Sequence, residues 1–291
     1  MTWQKIAKEI FPEEFKQFER LNGRRPDAVE FTDIASDVQR RDLTINALFY
    51  DIDKGEIVDF VGGIDDIQNG IVKAVGDPGA RFAEDRLRIL RALRFATRMG
   101  SQLDPATAQA IKNDNKLSGV SPERIRDEFL KGILATRSVP SFLDMMEEYD
   151  LWPQVFPGLN VARVPIDTKN VPVVLARLLW GNAPDLVAKR LNALKYSADE
   201  VAQVTFLLRF KDLTPENAFR LRKAYLISKL SDKDLIEFAA MKSTPEPRLV
   251  RAFLKYRPTI TGDELMAQGF TGAQLGKEME RRETELFKEL L

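Results

Sequence analysis

Histidine and cysteine are both absent from this chain. Without histidine there is no imidazole to serve as a general base or as a transition-metal ligand. Without cysteine there is neither a disulfide framework nor a thiolate site, which suits a reducing compartment. Any chemistry must therefore come from carboxylates, lysines, arginines, hydroxyls or a hard cation such as Mg²⁺. No apolar stretch approaches the roughly 20 residues that a membrane span needs, and no signal peptide is visible at Met1, so the expected partners include no membrane and the expected location is cytoplasmic. Net charge is missing too, since 44 basic and 44 acidic side chains cancel. The molecule as a whole has no pull on a polyanion, and nucleic-acid binding must come from a local patch.

What is present is an ordinary apolar and charged content spread over 291 residues, enough for two or more compact units. The first 22 residues read as two short helices, and Leu21 to Pro26 breaks the pattern. Short strand-like runs follow at Thr44 to Tyr50, Ile57 to Val61 and Gly70 to Val75, separated by glycine turns. They are too few for a comfortable free-standing sheet. After Gly79 the pattern is helical to the end, with many helices opening on a proline behind a Ser, Thr, Asp or Ala, as at Ser121-Pro122 and Thr214-Pro215. Asn160 to Asn170 is the least regular stretch and reads as a linker.

Two runs carry the chemistry. In Glu84-Asp85-Arg86-Leu87-Arg88, continued by Arg91 and Arg94, a carboxylate pair precedes arginines at intervals of three, on a helix expected from Ala80 to Met99. A step of three turns the helix by about −60°, so the arginines drift round one flank while Ile89, Leu90 and Leu93 hold an apolar stripe. An Asp and an Arg one turn apart match the donor and acceptor pattern of a base edge, and the arginines beyond suit successive phosphates. Alone, the run reads equally as a solvated face with acid-to-arginine pairs. In Gln39 to Ala47, Arg40, Arg41, Asp42 and Asn46 put phosphate donors and a ribose-hydroxyl acceptor before an apolar strand, and alone it reads as a charged turn.

Together these runs resemble the class II tRNA nucleotidyltransferase and bacterial poly(A) polymerase family, whose members add CCA or A to RNA 3′ ends. The resemblance rests on RRDLTINA at 40–47, DIDKGEIVDFVGGIDDI at 51–67, EDRLRILRALRF at 84–95, SPERIRDEFLKGIL at 121–134 and ITGDELMAQGFTGAQLGKEMERRE at 260–283, in family order from Asp33 onward. It implies a mostly α fold: a partial α/β nucleotidyltransferase head (27–78) behind an N-terminal helical segment (1–26), a neck with the base-recognition helix (79–159), and a helical body and tail that bind RNA (160–291). By the same resemblance Asp85 and Arg88 read the base of the incoming CTP or ATP, Glu84 orients them, Arg91 and Arg94 hold the triphosphate, and Arg41, Asp42 and Asn46 surround the ribose and phosphates. Glu123, Arg124 and Arg126 match the helix that buttresses the site. Arg222, Lys223, Lys229, Lys233, Lys255 and Lys277 fall in the region that grips tRNA, and Gly269 to Gly272 precede a last helix whose N-terminus suits a backbone phosphate. Arg86 replaces a frequent family proline and is expected to point toward the apolar flank.

One expected part is not found. The family holds two Mg²⁺ ions on an Asp-x-Asp pair after a Gly-Gly turn well before the RRD run. The 39 residues before Arg40 contain neither. Asp51-Ile52-Asp53 reads as a turn and Asp232-Lys233-Asp234 as a helix start; Glu30 and Asp33 are conceivable ancillary carboxylates. Three explanations stay open: a start internal to a longer gene, a split enzyme whose separate chain carries the metal pair, or a chain that keeps nucleotide or tRNA binding without catalysis. The residues before Arg24 do not look like family sequence.

Overall fold

The helix starts that the sequence announces are built as expected. In this computed structural model, which describes residues 34–241 and 245–291, Asp77 accepts from Ala80 N at 2.6 Å and Asp104 from Thr107 N at 3.0 Å, each just ahead of a proline in the first turn. These caps satisfy amides that a helix leaves unpaired. The two N-terminal helices expected over the first 22 residues, with Glu30 and Asp33, lie outside the described residues.

The head piece holds α1 (Ile34–Arg40), a 3-10 turn (Thr44–Asn46), β1 (Phe49–Asp51), β2 (Glu56–Val58), α2 (Gly63–Gln68) and β3 (Ile71–Val72). β1 and β2 form an antiparallel hairpin with Tyr50 opposite Ile57. β3 pairs in parallel with a short strand, β4 (Gln102–Leu103), from much later in the chain. The expected strand over Thr44 to Tyr50 is corrected, because its first half is a 3-10 turn. That turn is held by tertiary contacts that outweigh β propensity: Thr44 N donates to Lys73 O at 2.9 Å and Thr44 Oγ1 to Asp66 Oδ2 at 2.6 Å. Gly63 makes the approach possible, since a Cβ there would stand 2.3 Å from Thr44 O. Asp59 ties the preceding loop by accepting from the amides of Val61, Gly62 and Ile64 at 2.9–3.0 Å.

The neck follows as α3 (Pro78–Glu84), α4 (Leu87–Met99), α5 (Pro105–Asn113), α6 (Pro122–Ala135), α7 (Val139–Glu148) and α8 (Trp152–Val155). One continuous helix from Ala80 to Met99 is therefore corrected to two, because the backbone is extended at Asp85 (φ −148°, ψ 101°). α4 lies along α6, whose buried stripe is Ile125, Glu128, Phe129, Gly132 and Ile133. Gly132 lets α7 close on α6, as a Cβ would stand 2.1 Å from the Phe142 ring.

The remaining chain is helical: α9 (Val171–Leu178), α10 (Pro184–Ala193), α11 (Ala198–Phe210), α12 (Ala218–Ser228), α13 (Asp232–Ala240), α14 (Pro247–Lys255), α15 (Gly262–Ala267) and α16 (Gly272–Glu289). Residues 160–170 carry no regular structure, yet Ile166 is buried and Ala162 N donates to Leu178 O at 2.7 Å. One buried apolar cluster runs from Leu43 through Phe129 and Phe210 to Phe287. At the far end the buried Glu283 of α16 accepts from Tyr256 Oη at 2.6 Å and from the amides of Thr259 and Ile260 at 2.8 and 2.7 Å. Among the described residues no helix is long and apolar enough to cross a membrane.

Candidate nucleotide site

Asp42 is the hinge between the head turn and α4. Its side chain is about one-tenth exposed and accepts from Arg91 Nε at 2.6 Å, Asn46 Nδ2 at 3.2 Å and Leu43 N at 2.9 Å. Burial alone would push the carboxyl up, but the Arg91 hydrogen bond and charge, with Asn46 and the Leu43 amide, together hold it below its ordinary value. Asp42 is thus a charged acceptor fixed to both elements. Arg41 lies beside it, with Nε and Nη2 on Asp37 Oδ2 at 3.1 and 2.9 Å, Nη1 on Asn46 O at 3.4 Å, and its guanidinium 5.1 Å from the Phe49 ring centroid.

The break between α3 and α4 brings the second group alongside. Arg88 is committed on several sides, donating to Glu84 Oε2 at 2.8 Å, Arg81 O at 3.1 Å and Arg40 O at 3.0 Å. It therefore sews the end of α3 to the end of α1. Asp85 sits in the break, where Oδ1 accepts from Leu87 N at 3.1 Å and Oδ2 from Arg124 Nη2 at 2.7 Å. Arg86 does not face the apolar flank as expected from the sequence. It donates to Asp114 Oδ2 at 2.7 Å and to Lys116 O at 3.3 Å, and its hydrogen bond leads the causes that lower the Asp114 carboxyl.

Arg94 separates from the other arginines. Six residues after Arg88 it has turned by about 120°, which carries it off the open flank and against α6. There it is buried, paired with the equally buried Glu128 and stacked 4.2 Å from the Phe95 centroid. The expectation that Arg94 holds a triphosphate meets a side chain turned into the interior, whereas Arg91, one-third exposed, keeps an open side. Of the buttressing residues, Glu123 lies exposed in the first turn of α6, Arg124 reaches Asp85, and Arg126 turns to its neighbour Asp127 at 2.6 Å.

Three residues of this site escaped the sequence reading. Glu128 lay on the apolar stripe of α6 at spacings of three and four, the signal of an acid with a buried partner. Asp37 stood four residues before Arg41 on a helix. Asp114, far from Arg86 in sequence, gave no local signal.

Among the described residues a metal site is not assembled, since no three Asp or Glu side chains converge. Asp51 spends its carboxylate on the amides of Asp53 and Lys54 at 3.0 and 3.1 Å in the hairpin turn. Asp232 accepts from Tyr225 Oη at 2.5 Å, and Asp234 closes a capping box with Ser231. These residues do not fit a Mg²⁺ pair. In the tail, Arg222, expected in the RNA-gripping region, is buried beneath Tyr225 and Phe253. Lys229 pairs with Asp199 at 2.7 Å and Lys223 lies 4.2 Å from the Phe219 centroid, while Lys233, Lys255 and Lys277 are exposed.

The geometry has known counterparts. Residues 9–73 match the model of the poly(A) polymerase head domain, and residues 100–163 match that of a probable RNA- and SrmB-binding site of polymerase A. The CCA-adding enzyme of Lactobacillus helveticus is 36% identical over 210 residues, which are 67% of this chain and 51% of that enzyme. This chain belongs to the family of CCA-adding enzymes and poly(A) polymerases. It spans about half the length of the curated relatives it matches. Its fold is also that of the Bacillus stearothermophilus CCA-adding enzyme in complex with CTP, with TM-score 0.63 at 22% identity over 89% of this chain and 71% of that one. The Thermotoga maritima enzyme complexed with tRNA gives 0.59 at 20% identity over 88% and 73%. Because the head match starts at residue 9, the reading of residues before Arg24 as foreign to the family is corrected for residues 9–23.

Proposed function

We propose that this chain selects the nucleotide and holds the RNA in template-independent addition of C and A to tRNA 3′ ends, with CTP, ATP and tRNA as its partners. The observation that carries the reading is the meeting of the head turn with the α3–α4 break: Asp42, Asn46 and Arg91 form one bonded group, and Arg88 joins the break to the end of α1 next to it.

The chemistry follows from donors and acceptors. The Asp85 side chain accepts from the exocyclic amine of cytosine or adenine and disfavours the carbonyl that uracil or guanine offers there, while Arg88 donates to the ring nitrogen beside it. Arg41 and Arg91 face the phosphates, and Asn46 with Asp42 the ribose. Glu84 holds Arg88, and Arg94 acts through Glu128 by fixing α4 on α6. Family chemistry with Mg²⁺ needs carboxylates from outside the described residues, on this polypeptide or on a separate chain, and no step is assigned to a metal here. A cytoplasmic location goes with the tRNA substrate.

The test is incorporation of labelled CTP and ATP into tRNA lacking its CCA end, with Mg²⁺, by the chain alone and after addition of a head fragment carrying Gly-Gly and Asp-x-Asp. Addition of three nucleotides in either case, with Asp85→Ala or Arg88→Ala losing preference for CTP and ATP over UTP and GTP, supports the reading. Long A tracts on short RNA favour the poly(A) polymerase side of the family instead. Binding of tRNA without nucleotide affinity, even with the fragment, reduces the chain to an RNA-binding module.

A further inference from the structure

The reading above assigns base selection to Asp85, yet Asp85 sits outside both helices, where nothing regular in the backbone fixes its side chain. The chain leaves α3 at Asp85 in an extended conformation and re-enters helix at Arg86 (φ −65°, ψ −17°) without a proline to impose the turn. Two consecutive residues at this break are tied to two different elements. Asp85 Oδ2 takes its 2.7 Å bond from Arg124 in the first turn of α6. Arg86 gives its 2.7 Å bond to Asp114 in the loop after α5, and a second to Lys116 O.

With Oδ1 on the Leu87 amide and Oδ2 on Arg124, the carboxylate has one rotational setting. Each oxygen still has acceptor capacity left, because a carboxylate offers about four lone-pair directions. Arg124 therefore orients Asp85 without consuming it. We propose that Arg124 and Asp114 are specificity-determining positioning residues, holding Asp85 at the angle at which it accepts from the amine of cytosine or adenine. The proposal rests on the base-reading role given to Asp85.

Arg124 is 51% exposed and Asp114 48%, and exposed ion pairs contribute little to folding. Selectivity, by contrast, depends on placing an acceptor to within about 0.5 Å. Loss of either anchor is therefore expected to change selectivity while leaving stability in place, which a merely structural role would not do.

The experiment is equilibrium binding of CTP, ATP, UTP and GTP to the full chain and to its Arg124→Ala, Arg124→Lys, Asp114→Ala and Asp85→Ala variants, with melting temperatures recorded in parallel. Arg124→Ala and Asp114→Ala are expected to lower the preference for CTP and ATP over UTP and GTP by about three- to tenfold, against tenfold or more for Asp85→Ala. Melting temperatures stay at the parent value, and Arg124→Lys, which keeps one charged donor, restores part of the preference. An unchanged preference in both anchor variants, beside a loss in Asp85→Ala, overturns the proposal. If Asp85→Ala itself keeps the preference, or the parent chain binds no nucleotide even with the added head fragment, the proposed function fails and this inference fails with it.

Discussion

The buried Arg94–Glu128 pair makes a prediction whose size follows from its surroundings. Both side chains are more than nine-tenths buried, and each is the other's ionic partner between α4 and α6. Glu128→Gln leaves a nearly buried guanidinium without its counter-charge, at a cost of about 3–5 kcal/mol. For a chain of this size that lowers the melting temperature by roughly 5–8 °C. Arg94→Met with Glu128→Leu removes both charges from an interface that already holds Ile89, Leu93, Ile125 and Phe129, and is expected to fall within about 1–2 kcal/mol of the parent or above it. Urea unfolding followed by tryptophan fluorescence is the assay, and Trp152, whose ring lies 6.1 Å from that of Phe129, next to Glu128, reports on this region. A single variant within about 1 kcal/mol of the parent, or a double variant as unstable as the single one, would refute the view that the pair is a desolvated charge lock.

Two further expectations concern the head turn. Gly63→Ala places a Cβ 2.3 Å from Thr44 O, a backbone atom that cannot yield cheaply, so it should cost about 1–3 kcal/mol and weaken CTP and ATP binding through the displaced Asn46; calorimetry on the folded variant checks both. Asp42 has its carboxyl held low in the fold, so its contribution to stability is complete above the unfolded value near 3.9 and is lost as pH falls through the lowered one. The stability difference between parent and Asp42→Asn should be level from pH 7 to 5 and shrink below pH 4, measured by urea unfolding across pH.

Helices were legible where their ends are local. Asp77 and Asp104 cap their own chains ahead of prolines, and Ser197 with Glu200 closes a capping box three residues wide, so the starts could be placed from sequence alone. The break at Asp85 could not. Residues 80–99 contain neither glycine nor proline until the end of α4, and their spacing of apolar residues is helical throughout. The interruption is made by the Asp85 side chain capping Leu87 and by a bond to Arg124, which lies 39 residues away. The head turn failed for a related reason. Thr44 and Ile45 favour strand by propensity, but the carbonyl of Lys73 takes the Thr44 amide and the carboxylate of Asp66 takes its hydroxyl, holding the segment in a turn.

The same distinction explains how well the site was read. The residue types were visible because the resemblance lies in contiguous runs, but which arginine faces a ligand depends on which carboxylate stands opposite it in the fold. Arg91 meets Asp42 at the open flank and Arg94 meets Glu128 in the interior, although both sit on one helix three residues apart. The rotation of α4 sends them to different environments, and the acids of α6 and the head turn decide their work. A proline at position 86 would have announced the break from sequence. Arg86 hides it there and replaces backbone constraint with the Asp114 ion pair. The turn that presents Asp85 is thereby made to depend on side chains from two other elements, and its geometry becomes sensitive to single substitutions that a proline-fixed turn would tolerate.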